Sequence, residues 1–315
     1  MPGDPLLAVY YEHEHWFVPL FTELDRRGIA CARWRADRHS YDPDVSVPTG
    51  GSPLVFNRMS PSAWNRGHAG SIQYTLHYLA HLEARGVRVF NGHAAFTLET
   101  SKALQIGLLA RLGIAAPRTR VVSNLDRLRD AAGELVFPLL VKPNVGGSGA
   151  GIRRFESFAD LDAAVAAEGI VTGPDRTVLL QEYHPPRHDS IVRVETLSGR
   201  YLYAIRVHLD EGAGYDLCPA DICRTAAGDV LESTAGPAEA AKTGLSLEPF
   251  DPPAPILAAV ERIARAAGLD VGGIEYLESA RDGVTYFYDI NALSNFIPQP
   301  LQVLGFDPTT RLVDA

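Results

Sequence analysis

The pattern of apolar and polar positions in the N-terminal third of the chain predicts a parallel α/β lobe. Apolar runs at Leu6 to Tyr11 and at Ile29 to Trp34 are typical of buried strands. Between them, apolar residues recur at helical spacing until Gly28, which is a common helix stop. Short apolar strands follow at Leu54 to Asn57 and at Val87 to Phe90. Because strands joined through a helix pair in parallel, these elements predict a Rossmann-like lobe.

The rest of the chain shows a different pattern, in which helices are mixed with antiparallel strands. Residues Thr97 to Leu112 predict one amphipathic helix. Two alternating runs joined by a Ser-Gly turn at 198–199 predict a hairpin. A final strand pair is predicted at Asp270 to Leu277 and Val284 to Ile290, whereas residues 208–251 show no strong period. This part of the chain therefore predicts an α+β fold.

We expect a mixed α/β and α+β protein with three lobes, at residues 1–95, 96–180 and 181–315. The chain has 315 residues, of which 46% are hydrophobic, and this is enough apolar material for more than one core. The net charge of −9 argues against a nucleic-acid-binding protein, since such a protein needs a basic face. No nucleic-acid partner is expected.

Cysteine usage and the N-terminal residues predict a cytoplasmic protein. The three cysteines, Cys31, Cys218 and Cys223, are too few and too scattered for a disulfide framework or a zinc site. They are typical of small buried residues in a reducing compartment. Polar residues Glu12 to His15 stand where a signal peptide would be apolar, and no apolar run approaches bilayer length. No membrane partner is expected either.

A lysine followed by a glycine-rich loop is the most informative stretch of the sequence. Residues 137–152 read F-P-L-L-V-K-P-N-V-G-G-S-G-A-G-I, a short apolar strand that ends at Lys142 and Pro143 and leads into four glycines within six residues. Such a cluster indicates close backbone approach to a ligand, and the lysine indicates a polyanion. The lysine precedes the glycines, so this is not a P-loop, and Arg154 breaks the dinucleotide pattern. The alternative is a flexible surface hairpin.

A polar loop at residues 58–68, R-M-S-P-S-A-W-N-R-G-H, follows a predicted strand end. Arginine recognises carboxylates through paired N–H donors, so this loop predicts a site for a substrate carboxylate. The alternative is ordinary turn and helix-start chemistry beginning at the Ser-Pro pair. The candidate substrate residues are Arg58, Ser60, Arg66 and His68.

The final strand pair predicts a metal site. Glu275 lies on one strand, and Asp289 and Asn291 lie on the next, each within an otherwise apolar run. Two carboxylates brought together in apolar surroundings repel unless a cation lies between them. Carboxylate and amide oxygens suit Mg²⁺, which shares its coordination shell with substrate phosphates. An exposed polar face is the alternative explanation.

Taken together, the motifs resemble those of a known superfamily. In chain order they are E-T-S-K at 99–102, the lysine–glycine loop at 141–152, Q-E-Y-H at 181–184, two hairpin arginines, G-I-E at 273–275 and D-I-N at 289–291. Their order and spacing resemble the ATP-grasp carboxylate–amine ligases, in particular the glutathione-synthetase and RimK-type (ribosomal-protein glutamate ligase) branch. The resemblance implies the ATP-grasp fold, with ATP held between the central and C-terminal lobes.

The resemblance also implies roles for individual residues. Arg206 would stabilise the transferring phosphoryl group, with Arg193 nearby. Mg²⁺, or Mn²⁺ in its place, would be held by Glu275, Asp289 and Asn291. The residues expected to contact ATP are Lys102, Lys142, Gly146, Gly147, Ser148, Gly149, Gly151, Gln181, Glu182, Tyr183 and His184.

The activity implied by this resemblance is ATP-dependent amide or peptide bond formation. ATP would phosphorylate a substrate carboxylate, and an amine would attack the acyl phosphate, with release of ADP and phosphate. The expected substrates are an amino acid or peptide, and the branch allows a homo-oligomer. Two alternatives remain open at this point, a kinase of the same fold that phosphorylates a hydroxyl, and a nucleotide-binding protein without catalytic activity.

Overall fold

A computed structural model describes residues 7–44, 54–210, 214–215, 217 and 245–315. Its first sheet has four parallel strands in the order β2-β1-β3-β4. The elements of this lobe are β1 (Leu7–Tyr11), α1 (Val18–Arg26), β2 (Cys31–Arg35), β3 (Leu54–Arg58), α2 (Ala69–Ala84) and β4 (Arg88–Phe90). The predicted parallel lobe is therefore present, and its strands end together at one edge of the sheet.

The second sheet is antiparallel and has the order β5-β8-β6-β7. Its elements are β5 (Thr119–Val122), α5 (Leu128–Ala132), β6 (Leu139–Pro143), β7 (Arg153–Phe155), α6 (Phe158–Ala166) and β8 (Val178–Glu182). Leu139 and Val141 alternate inward on β6 and pack in the core beneath the two helices. The glycine-rich loop connects β6 to β7 at the edge of this lobe.

The third sheet is the largest, with five antiparallel strands in the order β11-β10-β9-β12-β13. Its elements are β9 (Ser190–Leu197), β10 (Arg200–Leu209), β11 (Leu245–Pro249), α7 (Ala254–Ala267), β12 (Val271–Glu278) and β13 (Thr285–Asn291). Strand β11 falls within the stretch predicted to lack a period, and the residues between 217 and 245 lie outside the described part of the chain. Helix α7 covers one face of the sheet, whereas polar side chains occupy the centre of the other.

The single helix predicted at Thr97 to Leu112 is wrong, because the structure has two. Helix α3 (His93–Glu99) ends before Ser101, and α4 (Lys102–Arg111) begins directly after it. Ser101 is extended, and its hydroxyl accepts the N–H of Leu104, so it caps the second helix. Both helices pack into the core of the third sheet rather than the second.

The C-terminal segment returns to the first lobe. It contains α8 (Pro300–Leu304) and α9 (Pro308–Asp314). Helix α9 lies against α1, with Leu312 in the apolar cluster and Asp314 paired to Arg27 at 2.5 Å. In the described ranges, no helix is long and apolar enough to cross a membrane. Cys31 is half-buried, and the other two cysteines lie outside those ranges.

Two β-bulges interrupt the third sheet and decide which side chains share a face. The extra residue of the first bulge is Leu202 on β10. That of the second is Tyr288 on β13, so the pairing with β12 shifts by one residue after Glu275. Because side chains alternate between the faces of a strand, a shift of one residue turns the following side chains to the opposite face.

Candidate functional site

A polar cavity of about 90 Å³, here called the central cavity, lies where the three lobes meet. The segment that follows β3 contributes Ser60 and Ser62, the glycine loop contributes residues 147–149, and the third sheet contributes Glu275 and Asp289. The carboxyl ends of parallel strands are a common position for ligand sites, because loops and helix starts converge there. Chain segments far apart in sequence thus line one cavity.

The predicted metal residues come together on one face of the third sheet. Glu275 and Asp289 are direct cross-strand partners, and Asn291 lies two residues further along β13, with its Nδ2 donating to Asp289 Oδ2 at 3.3 Å. In the described part of the chain, no group of three or more histidine, cysteine, aspartate or glutamate side chains could hold a metal by itself. The donor set is therefore two carboxylates and one amide, which fits Mg²⁺ completed by phosphate oxygens.

The two carboxylates of this pair have opposite titration behaviour. Burial raises the pKa of Glu275, and the charge of Asp289 adds to that increase while Arg193 opposes it. Burial also disfavours ionised Asp289, but the charge and hydrogen bond of Lys102 outweigh it and lower the pKa of Asp289. A cation in the cavity would favour the ionised form of both groups.

Both predicted lysines reach this site, one from α4 and the other from β6. Lys102, the first residue of α4, forms an ion pair with Asp289. Lys142 lies on β6, with its Nζ 5.9 Å from the ring centroid of Tyr288. Burial lowers the pKa of Lys142 to about 8, and the charge of Lys102 contributes to this decrease. Two buried cations so close together form a favourable site for a polyanion.

Glu99 is a residue at this site that the sequence reading did not select. It is buried at the end of α3 and accepts the backbone N–H of Ala292. Burial raises the pKa of Glu99 to about 7 despite that hydrogen bond, and the nearby Asp289 adds to the increase. Its position as the first letter of the E-T-S-K motif could have identified it.

The structure brings only one of the two hairpin arginines to the cavity, which corrects the prediction for Arg206. Arg193 pairs in register with Ile205 and lines the central cavity, whereas Arg206 pairs with Val192 on the opposite face. There the Arg206 guanidinium lies 4.2 Å from the ring centroid of Phe250. The physical reason is the bulge in β10, because a regular hairpin would pair Arg206 with Ile191, on the same face as Arg193.

Arg193 is held in a buried network of ionic hydrogen bonds. Its Nε donates to Glu195 at 2.7 Å, and its Nη1 donates to Glu275 at 2.9 Å. The lack of a side chain at Gly273 makes room for the guanidinium, since a Cβ there would lie 2.6 Å from Arg193 Cζ. Glu195 also accepts from the hydroxyl of Ser294. Glu195 was not selected from the sequence, because its contact with Ser294 spans 99 positions and no local pattern shows that its face of the strand is buried.

The glycine loop covers the cavity in a conformation that needs its glycines. Ser148, Gly149 and Gly151 have φ values of 52°, 64° and 75°, in the left-handed region. A Cβ at Gly147 would lie 2.8 Å from the Cβ of Ser62, so the loop packs directly on the first lobe. The space beneath the loop is also lined by Gly146, Lys102 and Asp289.

The predicted Q-E-Y-H segment lines a neighbouring cavity of about 310 Å³. Three of its side chains are engaged within the protein. Gln181 donates to Thr119 Oγ1 at 3.0 Å, Glu182 accepts from the N–H of Val136 at 3.0 Å, and His184 lies 3.1 Å from Ser279 Oγ. Tyr183 of the same segment also lines this cavity, together with Leu140, Lys142, Ile191, Leu277 and Tyr288. Lys142 therefore lines the same cavity as these apolar side chains.

The four predicted substrate residues lie in three different places. Arg66 and His68 both contact Glu12, at 2.5 Å and 2.6 Å. Ser60 lies on the wall of the central cavity with its hydroxyl 2.7 Å from that of Ser62. Arg58 is buried elsewhere, beside a second cavity. Glu12 thus engages two of the predicted substrate residues, Arg66 as an ion pair and His68 through a ring nitrogen, which the sequence spacing did not indicate.

No protein-family model matches the chain. Among curated proteins, a D-alanine–D-alanine ligase of Nitrosomonas europaea is 27% identical over 210 residues. The match covers 61% of this chain and 64% of that ligase, so the chain spans less than two thirds of this relative's length.

Solved structures resemble the chain along nearly its whole length. An ATP-grasp ligase, PsnB, complexed with a phosphomimetic variant of its minimal precursor, Mg and ADP, matches with a TM-score of 0.67 at 18% identity, over 99% of this chain and 97% of PsnB. A RimK domain ATP-grasp protein from Sphaerobacter thermophilus matches with a TM-score of 0.66 at 18% identity, over 98% of each chain. The resemblance inferred from the sequence motifs is confirmed, and the chain has the ATP-grasp fold.

Proposed function

We propose that this protein is an ATP-dependent carboxylate–amine ligase, which forms an amide or peptide bond through an acyl phosphate and releases ADP and phosphate. The observation that carries the proposal is the convergence of two lysines, Arg193 and the Glu275–Asp289 pair beneath the glycine loop. Such a cluster matches the charge distribution of a nucleoside triphosphate with its metal. The similarity to a D-alanine–D-alanine ligase supports ligase chemistry.

In this proposal, ATP lies between the second and third sheets. The cavity of about 310 Å³ accepts the adenine, since the segment 181–184 offers backbone groups beside apolar walls. Lys142 and Lys102 contact the phosphates, and residues 146–151 cover them with backbone N–H groups. We assign residues 1–95, 96–180 and 181–315 to the three lobes. Helices α3 and α4 pack in the core of the third sheet.

Glu275, Asp289 and Asn291 would hold Mg²⁺ or Mn²⁺, which supplies charge neutralisation at the phosphates. The chain's own residues bind and orient the reactants. Lysine and arginine charges stabilise the phosphoryl group in line with the attacking carboxylate, in a preorganised and largely buried site. The glycine loop limits access of water to the acyl phosphate. None of these roles requires a covalent nucleophile from the protein.

The experiment that tests the proposed function measures ADP and phosphate release from MgATP with a panel of amino acids and dipeptides. Each reaction is run with and without hydroxylamine, which traps an acyl phosphate as a hydroxamate. We expect carboxylate-dependent ADP release with hydroxamate formation. Phosphate retained on a hydroxyl compound would indicate a kinase, and nucleotide binding without turnover would indicate a non-catalytic protein.

Replacing Lys142 by Ala is expected to weaken MgATP binding about 10- to 100-fold, because a charge-assisted hydrogen bond to phosphate contributes about 1.5–3 kcal/mol. Phosphate keeps the ammonium protonated, whereas the pKa of Lys142 in the free protein is about 8. Affinity should therefore fall as the pH rises above 8. Calorimetric titration across this pH range checks both effects, with Lys142→Arg as the charge-retaining control. Unchanged affinity in Lys142→Ala would refute the loop assignment.

Replacing Arg206 by Met is expected to leave turnover within about twofold of the wild type, because the guanidinium packs on the far face of the sheet. Steady-state ADP release measures this directly. A large loss of the maximal rate at unchanged thermal stability would show that Arg206 acts at the phosphoryl group after all.

A further inference from the structure

Arg58 is a buried arginine at the end of β3, only 4% exposed. Its guanidinium lies between two aromatic rings, with Cζ 5.0 Å from the centroid of Phe17 and 5.1 Å from that of Phe56. One nitrogen, Nη2, donates to the backbone carbonyl of Ser294 in the C-terminal segment. These contacts fix the plane and the direction of the guanidinium, which is the arrangement that geometric recognition of an anion requires.

The other two nitrogens of Arg58 have no protein acceptor. Nε and Nη1 are buried, and within the described ranges neither of them makes a hydrogen bond, so three N–H donors are left. Burial lowers the pKa of Arg58 to about 10, which still leaves the side chain charged at neutral pH. A buried cation with unused donors costs several kcal/mol unless an anion completes it. The unused donors therefore indicate a ligand.

Arg58 lines a second cavity of about 100 Å³, here called the Arg58 cavity. Its walls are largely apolar and include Phe17, Leu20, Ile297 and Leu312, and Asp307 is the acidic residue among them; its carboxylate accepts the N–H of Thr309. A largely apolar cavity with a fixed cation in its wall is typical of a small-molecule subsite. Its size suits a carboxylate with a short carbon chain.

The Arg58 cavity adjoins the central cavity, and the two share Trp16 and Asn295 in their walls. Both shared side chains carry a buried polar atom without a partner in the part of the chain that the structure describes, Trp16 Nε1 and Asn295 Oδ1. The indole offers one more N–H donor to an anion, and the amide oxygen offers an acceptor to an N–H group beside it. N–H donors beside an acceptor match an α-amino acid, whose carboxylate accepts hydrogen bonds and whose ammonium group donates them.

We propose that the Arg58 cavity binds a spectator carboxylate of the substrate, whose reacting group lies in the central cavity. The substrate class is then a small amino acid or a short dicarboxylic acid. The position of the reacting group rests on the proposed ligase function, whereas carboxylate binding at Arg58 does not. A single guanidinium matches the single charge of a carboxylate, whereas a dianion such as phosphate would carry a second charge toward apolar walls and Asp307.

The test uses nucleotide-free protein and two probes of equal shape, sodium propionate and propionamide, at constant ionic strength. Thermal unfolding is followed as each probe is titrated, since a ligand that binds the native state raises the midpoint. We expect a saturable increase with propionate and none with propionamide. In Arg58→Met, propionate binding should weaken about 10- to 100-fold, in line with the loss of a charge-assisted contact.

Arg33→Met is the matched control, because Arg33 also lies on a phenylalanine ring, 4.2 Å from the centroid of Phe21, but at the surface. It should retain the propionate effect. Trp16→Phe keeps an aromatic ring while removing the N–H, and should weaken propionate binding even if Arg58→Met fails to fold. Equal shifts with propionate and propionamide in the wild type would overturn the proposal, as would full propionate binding by Arg58→Met. Both results are independent of ATP turnover, so they leave the ligase proposal to its own test.

Discussion

Replacing Asp289 by Asn is expected to lower MgATP-dependent turnover about a thousandfold, which corresponds to about 4 kcal/mol. Asp289 faces Glu275 across two strands and forms the ion pair with Lys102. The amide keeps the shape of the side chain but removes the charge that both a metal and Lys102 require. The loss should therefore appear in turnover, whereas the fold is retained.

ADP release at saturating MgATP measures the effect of Asp289→Asn, and circular dichroism checks the fold. Asp251→Asn is the control, because Asp251 is an exposed carboxylate at the start of the segment that leads into α7. It should behave as the wild type. Full magnesium-dependent turnover in Asp289→Asn would remove the metal assignment for this strand pair.

Replacing Arg193 by Met is expected to lower the free energy of unfolding by about 3–5 kcal/mol. Arg193 is buried between Glu195 and Glu275, with hydrogen bonds of 2.7 and 2.9 Å. Without the guanidinium, two carboxylates remain in the interior with no opposing charge from that side chain. Removing one partner of such a network costs more free energy than the intact network contributes. The reason is that the remaining carboxylates stay buried without a counter-charge.

Urea unfolding of the metal-free protein over a range of pH measures this effect. Burial already raises the pKa of Glu275 above its usual 4.5, and loss of Arg193 should raise it further. A carboxyl whose folded pKa is raised contributes stability below the unfolded value and loses it as the pH rises through the folded one. The loss in free energy of unfolding that Arg193→Met causes relative to the wild type should therefore be smallest below pH 4.5. Adding Glu195→Gln to Arg193→Met should recover part of the loss, and a simple sum of the two single effects would contradict the network.

Local sequence patterns predicted the parallel lobe well, because each strand and helix there is identified by its own periodicity. The single helix predicted across Ser101 was wrong, because amphipathic spacing continues through the break while the capping hydroxyl determines where α4 begins. Strand β7 is too short and polar to be recognised, with two of its three residues being arginines. Periodicity therefore identified long elements and missed capped or short ones.

The candidate site was predictable where a motif concentrates its residues, as in the lysine–glycine loop. It was not predictable where the partner of a side chain lies far away in the chain. Glu12 contacts Arg66 and His68 from more than fifty positions away, and Ser294 contacts Arg58 across 236 positions. The first contacts join β1 to the segment after β3, and the second follows from the return of the C-terminal segment to the first lobe. No local pattern indicates either.

The two bulges in the third sheet make the chemistry of the site depend on the number of residues in a strand as well as on their identity. Without the shift beside Glu275, Asp289 would pair with Ile274 and face α7 instead of the cavity; without the shift in β10, Arg206 would join Arg193. A deletion of one residue at either point could exchange an acidic or basic group between the two faces. Length variation in these strands, rather than substitution, is therefore a direct route by which such a sheet can acquire or lose a charged group in its cavity.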